Sequence, residues 1–121
     1  MTNNTILTAA HIRYLLALKR LSGEEGIRSV DIANDLNLSK ASVHNMMDTF
    51  LELKYITKEY GGKVFLTEYG LKRATEFERY HNNLKNQLFS QVTVDGTADS
   101  AIYAFLAELP ENSLMMLAGI G

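Results

Sequence analysis

The chain has 121 residues, is 46% hydrophobic and 21% charged, and carries a formal net charge of -2. That suffices for one compact domain, or a small domain with an appendage, and is too apolar for wholesale disorder. Cysteine is absent, which excludes a disulfide framework, thiolate metal ligands and a cysteine nucleophile.

The amino terminus, MTNNTILTAAH, lacks the basic segment and apolar core of a targeting sequence. No apolar run approaches the ~20 residues of a membrane helix, so a cytoplasmic protein with no membrane partner is expected. Thr8 can cap a first helix over about 9–21, whose apolar Ile12, Leu15, Leu16 and Leu21 recur at helical spacing. After a polar connection from Glu24 to Arg28, Ser29 is the expected cap of a short helix that turns Val30, Ile32, Ala33 and Leu36 inward. Asn37 suits the left-handed conformation of a tight turn, Leu38 plugs the core, and Ser39 caps a helix running to about Lys54.

From Tyr55 to Thr67 the pattern changes. Short β-branched and aromatic runs flank Gly61-Gly62, the signature of a hairpin with a two-residue turn. Thr67 and Glu68 then open a long helix with Leu71, Ala74, Phe77, His81, Leu84 and Leu88 on one stripe, ending near Ser90. Beyond a loop at Asp95-Gly96, Asp99 or Ser100 is the expected cap of a helix carrying Ile102, Tyr103, Phe105, Leu106 and Leu109, which Pro110 interrupts. A last apolar piece, SLMMLAGIG, follows. The order predicts a mainly α (α+β) fold: a winged helix-turn-helix over residues 1–75, then a helical dimerisation region over 76–121.

Charge divides along the chain. Residues 38–73 carry Lys40, Lys54, Lys58, Lys63, Lys72 and Arg73 against Asp48, Glu52, Glu59 and Glu68. From residue 86 onward there is no Lys or Arg, and Asp95, Asp99, Glu108 and Glu111 make the tail acidic. Local field rather than total charge decides whether a face can approach phosphate, so the acidity of the chain does not exclude double-stranded DNA as a partner.

In a helix-turn-helix the second helix packs one apolar face on the domain and offers polar, small or basic groups to base edges. Here Val43, Met46, Met47, Phe50 and Leu53 form the inner face, and Ala41, Ser42, Asn45, Asp48 and Thr49 point outward. Asn45 is suited to a bidentate contact with adenine, Ser42 to donating or accepting, and the Ala41 methyl to a thymine methyl. Ser39, Lys40 and Lys63 would meet phosphates, and His44 is read as a solvated or phosphate-side residue. Asp48 is discordant: a carboxylate there prefers cytosine or no DNA contact. A winged-helix module used only for protein contacts is the alternative.

The stretches SVDIANDLNLSKASVHNMMDTFLELKYI, VFLTEYG and RYHNNLKNQLF resemble the amino-terminal part of the diphtheria toxin repressor family, which includes manganese-transport regulators. The resemblance implies winged-helix domains joined by a helical dimerisation region, with Fe²⁺ or Mn²⁺ favouring operator binding, here in a short form. It places the metal on His81, Glu108 and Glu111, with His11 as a remote addition. The family's ligand positions in helix one fall on Ala10 and Arg13, which are not ligands, and the histidine of its later helix falls on Asn112. A metal-independent regulator of the same fold therefore stands beside the metal-dependent one, and His81 can equally be a core histidine.

The three histidines lie on three different helices, and no phosphate-binding glycine loop or nucleophile elbow is present. An enzyme is not expected. The apolar side chains of 98–121 outnumber what so short a segment buries by itself, which points to a homodimer.

Overall fold

Helices and one hairpin follow the predicted order in the computed structural model, which describes residues 7–87 and 97–109. They are α1 (Ala9–Leu21), α2 (Ser29–Leu36), α3 (Lys40–Glu52), β1 (Ile56–Lys58), β2 (Val64–Leu66), α4 (Glu68–Gln87) and α5 (Thr97–Glu108). Leu88, the helix end near Ser90, the Asp95-Gly96 loop, Pro110, Glu111, Asn112 and the SLMMLAGIG segment lie outside the described residues. The fold is a mainly helical winged helix-turn-helix with a small antiparallel sheet. Among the described residues no helix is long and apolar enough to cross a membrane. Contacts divide the chain into two compact units, Tyr14–Thr75 and a second made of Met1–Arg13 with Glu76–Gly121.

In the unit Tyr14–Thr75 the core comes from Leu15 and Leu18 of α1, Ile32 of α2, Val43, Met47 and Phe50 of α3 and Val64 of β2, all fully buried. Phe50 is central: its ring meets Tyr14 edge-on at 6.4 Å and Tyr55 at 5.3 Å. Asn37 adopts the left-handed conformation (φ 57°) that the α2–α3 turn requires, and Leu38 N–H donates to Ala33 O at 2.9 Å. Leu38 itself is only half-buried.

Several local expectations are corrected. Arg28, not Ser29, occupies the cap position of α2, and Ser29 is its first helical residue. Val30 is 40% exposed because the inward stripe of this two-turn helix is already filled by Ile32, Ala33 and Leu36. Leu71 faces outward for the same reason, since Gly70 and Ala74 are the buried positions of the first turns of α4. The helix α3 ends at Glu52, two residues early, and α5 begins at Thr97, before either expected cap.

The end of α3 is closed by a backbone motif rather than a glycine. Tyr55 N–H donates to Phe50 O and Lys54 N–H to Leu51 O, with Lys54 at φ 67°. That is the Schellman pattern, and its usual apolar contact is the Phe50–Tyr55 ring pair. Thr67 then ties the next element down: its hydroxyl donates to Lys54 O at 2.7 Å, its N–H to Tyr55 O at 2.9 Å, and it accepts from Gly70 N–H at 2.9 Å as the cap of α4.

The hairpin pairs Ile56 with Leu66 and Lys58 with Val64. Its loop holds three residues, not two, because Tyr60 joins Gly61 and Gly62 between the Glu59 N–H···O Lys63 pair. Both glycines have positive φ, 91° and 85°, which side chains adopt at a cost. Ile27 adds a third edge by exchanging two 2.8 Å bonds with Val64. Gly26 makes that edge fit, since a Cβ there would stand 2.7 Å from the Phe65 ring.

In the second unit α4 buries Phe77, Tyr80 and Leu84, and α5 buries Ile102 and Leu106. The start of α1 is closed by a reciprocal pair: His11 N–H donates to Thr8 Oγ1 at 3.2 Å, and Thr8 N–H donates to His11 Nδ1 at 3.0 Å. This is a capping box with imidazole in place of the usual carboxylate or amide. Burial lowers the His11 pKa below its ordinary value, and protonation of Nδ1 would remove the acceptor. The unfolded chain therefore protonates first, and stability should fall as pH drops below about 6.5. In His11→Gln, which keeps an acceptor but does not titrate, thermal midpoints between pH 7 and 5 should lose that part of their slope; an unchanged slope would dissociate the effect from His11.

Candidate nucleic-acid interface

The helix α3 is one-sided. Val43, Met47 and Phe50 are fully buried and Met46 is half-buried, whereas Lys40, Ala41, Ser42, His44, Asn45 and Asp48 are exposed. A 3.6-residue repeat produces this separation once three apolar anchors are fixed in the core. Ser39 at φ -75°, ψ 155° caps the helix: its Oγ accepts from Ser42 N–H at 3.1 Å and donates to Ser42 Oγ at 3.0 Å. The amino-terminal end of α3 is thus rigid and exposed, and it carries the positive end of the helix dipole next to Lys40.

The structure brings Ser39, Lys40, Ala41, Ser42, His44 and Asn45 onto consecutive turns of one exposed surface. Thr49 is half-buried, and its hydroxyl donates to Asn45 O at 3.2 Å. Lys63 lies in the wing, half-buried, just before β2. Sequence reasoning passed over Tyr60, which stands fully exposed at the wing tip. Its place directly before the two turn glycines was the available signal. Arg20 and Asp35 form an exposed ion pair between α1 and α2, and such pairs add little stability.

On the metal side, His81 lies in α4 with its ring tilted against Tyr103 of α5, centroids 5.3 Å apart. Glu108 is exposed at the end of α5. His11 uses Nδ1 in the helix cap. Among the described residues no three His, Asp or Glu side chains come together to hold a cation, and the positions the resemblance matches in α1 are Ala10 and Arg13. Divalent iron or manganese needs several oxygen and imidazole ligands at one point, and the described residues do not fit that requirement. An open cleft of about 180 Å³ lined by Ser22, Gly23, Ile27, Val64, Phe65, Leu66 and Leu71 holds no ionisable side chain.

Residues 13–59 match the model of the IclR helix-turn-helix domain, a span from within α1 to just past β1 and less than half of the chain. Among solved structures the chain is similar to a hypothetical protein from Sulfolobus solfataricus, with 25% identity, TM-score 0.68, and coverage of 93% of this chain and 88% of that one. It is similar to IdeR of T. acidophilum, with 19% identity, TM-score 0.66, and coverage of 98% and 55%. It is also similar to the manganese regulator SloR, with 20% identity, TM-score 0.70, and coverage of 98% and 54%. The chain spans about half the length of these last two. No curated protein matches it.

Proposed function

We propose that this chain, a DNA-binding winged helix-turn-helix regulator of transcription, holds a two-fold symmetric operator as a homodimer, in the manner of the iron- and manganese-dependent repressors. One observation carries the reading. The first half of α3 exposes Ser39, Lys40, Ala41, Ser42 and Asn45 while its opposite face is anchored in the core, the division a groove-entering helix needs. In this reading Asn45 pairs with an adenine, Ser42 and the Ala41 methyl contact neighbouring bases, and Ser39, Lys40, His44 and Lys63 meet phosphates. Thr49, bonded to Asn45 O, steadies the helix behind the contact.

The winged domain, 1–75, reads DNA, and the helical region, 76–121, makes the dimer. Support comes from composition: Phe105 of α5 is 39% exposed beside buried Ile102 and Leu106, and the sequence adds Leu114, Met115, Met116, Leu117 and Ile120 with no Lys or Arg. An acidic, apolar surface belongs away from phosphate, and two-fold pairing sets two recognition helices roughly 34 Å apart, one helical turn of DNA. No step of binding is assigned to a metal.

Operator titrations test the reading. Lys40→Ala should weaken binding to all duplexes and lessen the salt dependence, whereas Asn45→Ala should relax sequence preference by about ten-fold. Unchanged affinity in both would remove α3 from the interface, leaving the module for protein contacts. Equal affinity in chelator and in Mn²⁺ or Fe²⁺ is expected; a metal requirement abolished by His81→Ala would instead establish His81, Glu108 and Glu111 as a reduced cation site.

A further inference from the structure

Asp48 is the feature of α3 that its phosphate and adenine contacts leave unexplained. It is exposed, and among the described residues its carboxylate has no hydrogen-bond or ion-pair partner. At 3.6 residues per turn, Ala41, Asn45 and Asp48 fall within an arc of about 60°, and Asp48 stands about 4.5 Å further along the axis than Asn45. Base pairs are spaced about 3.4 Å apart, so a helix that sets Asn45 on one base pair sets Asp48 on the next.

A carboxylate only accepts. In the major groove guanine N7 and O6 and thymine O4 are acceptors and would face it lone pair to lone pair. Adenine offers an amino group, but beside the N7 acceptor, which suits an amide better than a carboxylate. Cytosine offers its N4 amino group with no acceptor of its own beside it in that groove. Repulsion from the flanking phosphates weakens every duplex alike, and only a cytosine amino group offsets it, so the same charge that costs affinity generally sharpens discrimination.

We propose that Asp48 determines operator sequence by accepting a hydrogen bond from the amino group of a cytosine, in the base pair next to the adenine read by Asn45. This rests on α3 being the base-reading helix, and the test separates the two. The full chain, as wild type, Asp48→Asn and Asp48→Ala, is used to select duplexes from a randomised pool, and affinities are then measured on the selected sites. The wild type should enrich a cytosine beside an adenine in each half-site, with loss of about ten-fold on exchanging that C·G pair. Asp48→Asn should shift the preference at that position alone toward adenine, and Asp48→Ala should flatten it while strengthening binding to unrelated DNA. A wild-type motif without the fixed cytosine, or an unchanged motif in Asp48→Ala, overturns the proposal while DNA binding stands. Failure of the wild type to retain any duplex in a salt-dependent way overturns both.

Discussion

Gly70→Ala should lower the stability of the winged unit by roughly 3 kcal/mol, the upper end of overpacking costs, read as a lower urea midpoint in the 222 nm circular dichroism of the full chain. A Cβ at Gly70 would lie 2.0 Å from Tyr55 O, 2.8 Å from its carbonyl carbon and 3.0 Å from its Cα. These are backbone atoms, and no rotamer change removes the overlap. The same carbonyl accepts from Thr67 N–H, so moving it away also breaks a bond that holds Thr67, the capping residue of α4. Operator affinity should fall along with the fold. A midpoint equal to the wild type would show that α4 does not press on Tyr55 in solution.

The second large effect is Phe50→Ala, expected to cost about 4 kcal/mol. Phe50 is 0% exposed, and its ring sits between Tyr14 and Tyr55. Truncation leaves a void that neither neighbour can fill, because Tyr55 is held by Thr67 through its carbonyl and Tyr14 belongs to the regular run of α1. The smaller Phe50→Leu change should cost distinctly less. Neither variant alters the exposed face of α3, so at temperatures where each remains folded its operator affinity should match the wild type. Lost affinity in a folded Phe50→Ala protein would mean that the ring shapes the recognition surface itself.

Most of the helical frame was legible because few residues determine it. The burial of Val43, Met47 and Phe50 and the left-handed Asn37 follow from periodicity and turn chemistry that act within four residues. What escaped depends on partners distant in the chain. Ile27 bridges Val64 across 37 positions, and Gly26 is needed only because Phe65 arrives against it. Gly70 is likewise needed only because the backbone of Tyr55 stands against it. The exposure of Ser39 to Ser42, His44 and Asn45 opposite that buried stripe was legible for the same local reasons as the helix. Whether His81, Glu108 and Glu111 meet at one point depends on long-range packing that helix spacing cannot express, and Glu111 lies outside the described residues.

The Thr67 clasp has a thermodynamic consequence for docking. Because one threonine bonds both Lys54 O and Tyr55 O while capping α4, the carboxyl end of α3 and the base of the wing are immobilised together when the chain folds. Two DNA-contacting elements on a supple joint would each lose conformational freedom on reaching the duplex, at about 1–2 kcal/mol per residue ordered. Here that freedom has already gone before the encounter. In the proposed complex, charge neutralisation and water release would then weigh more than ordering of this joint, and a duplex would have to match the spacing of α3 and the wing rather than adjust it.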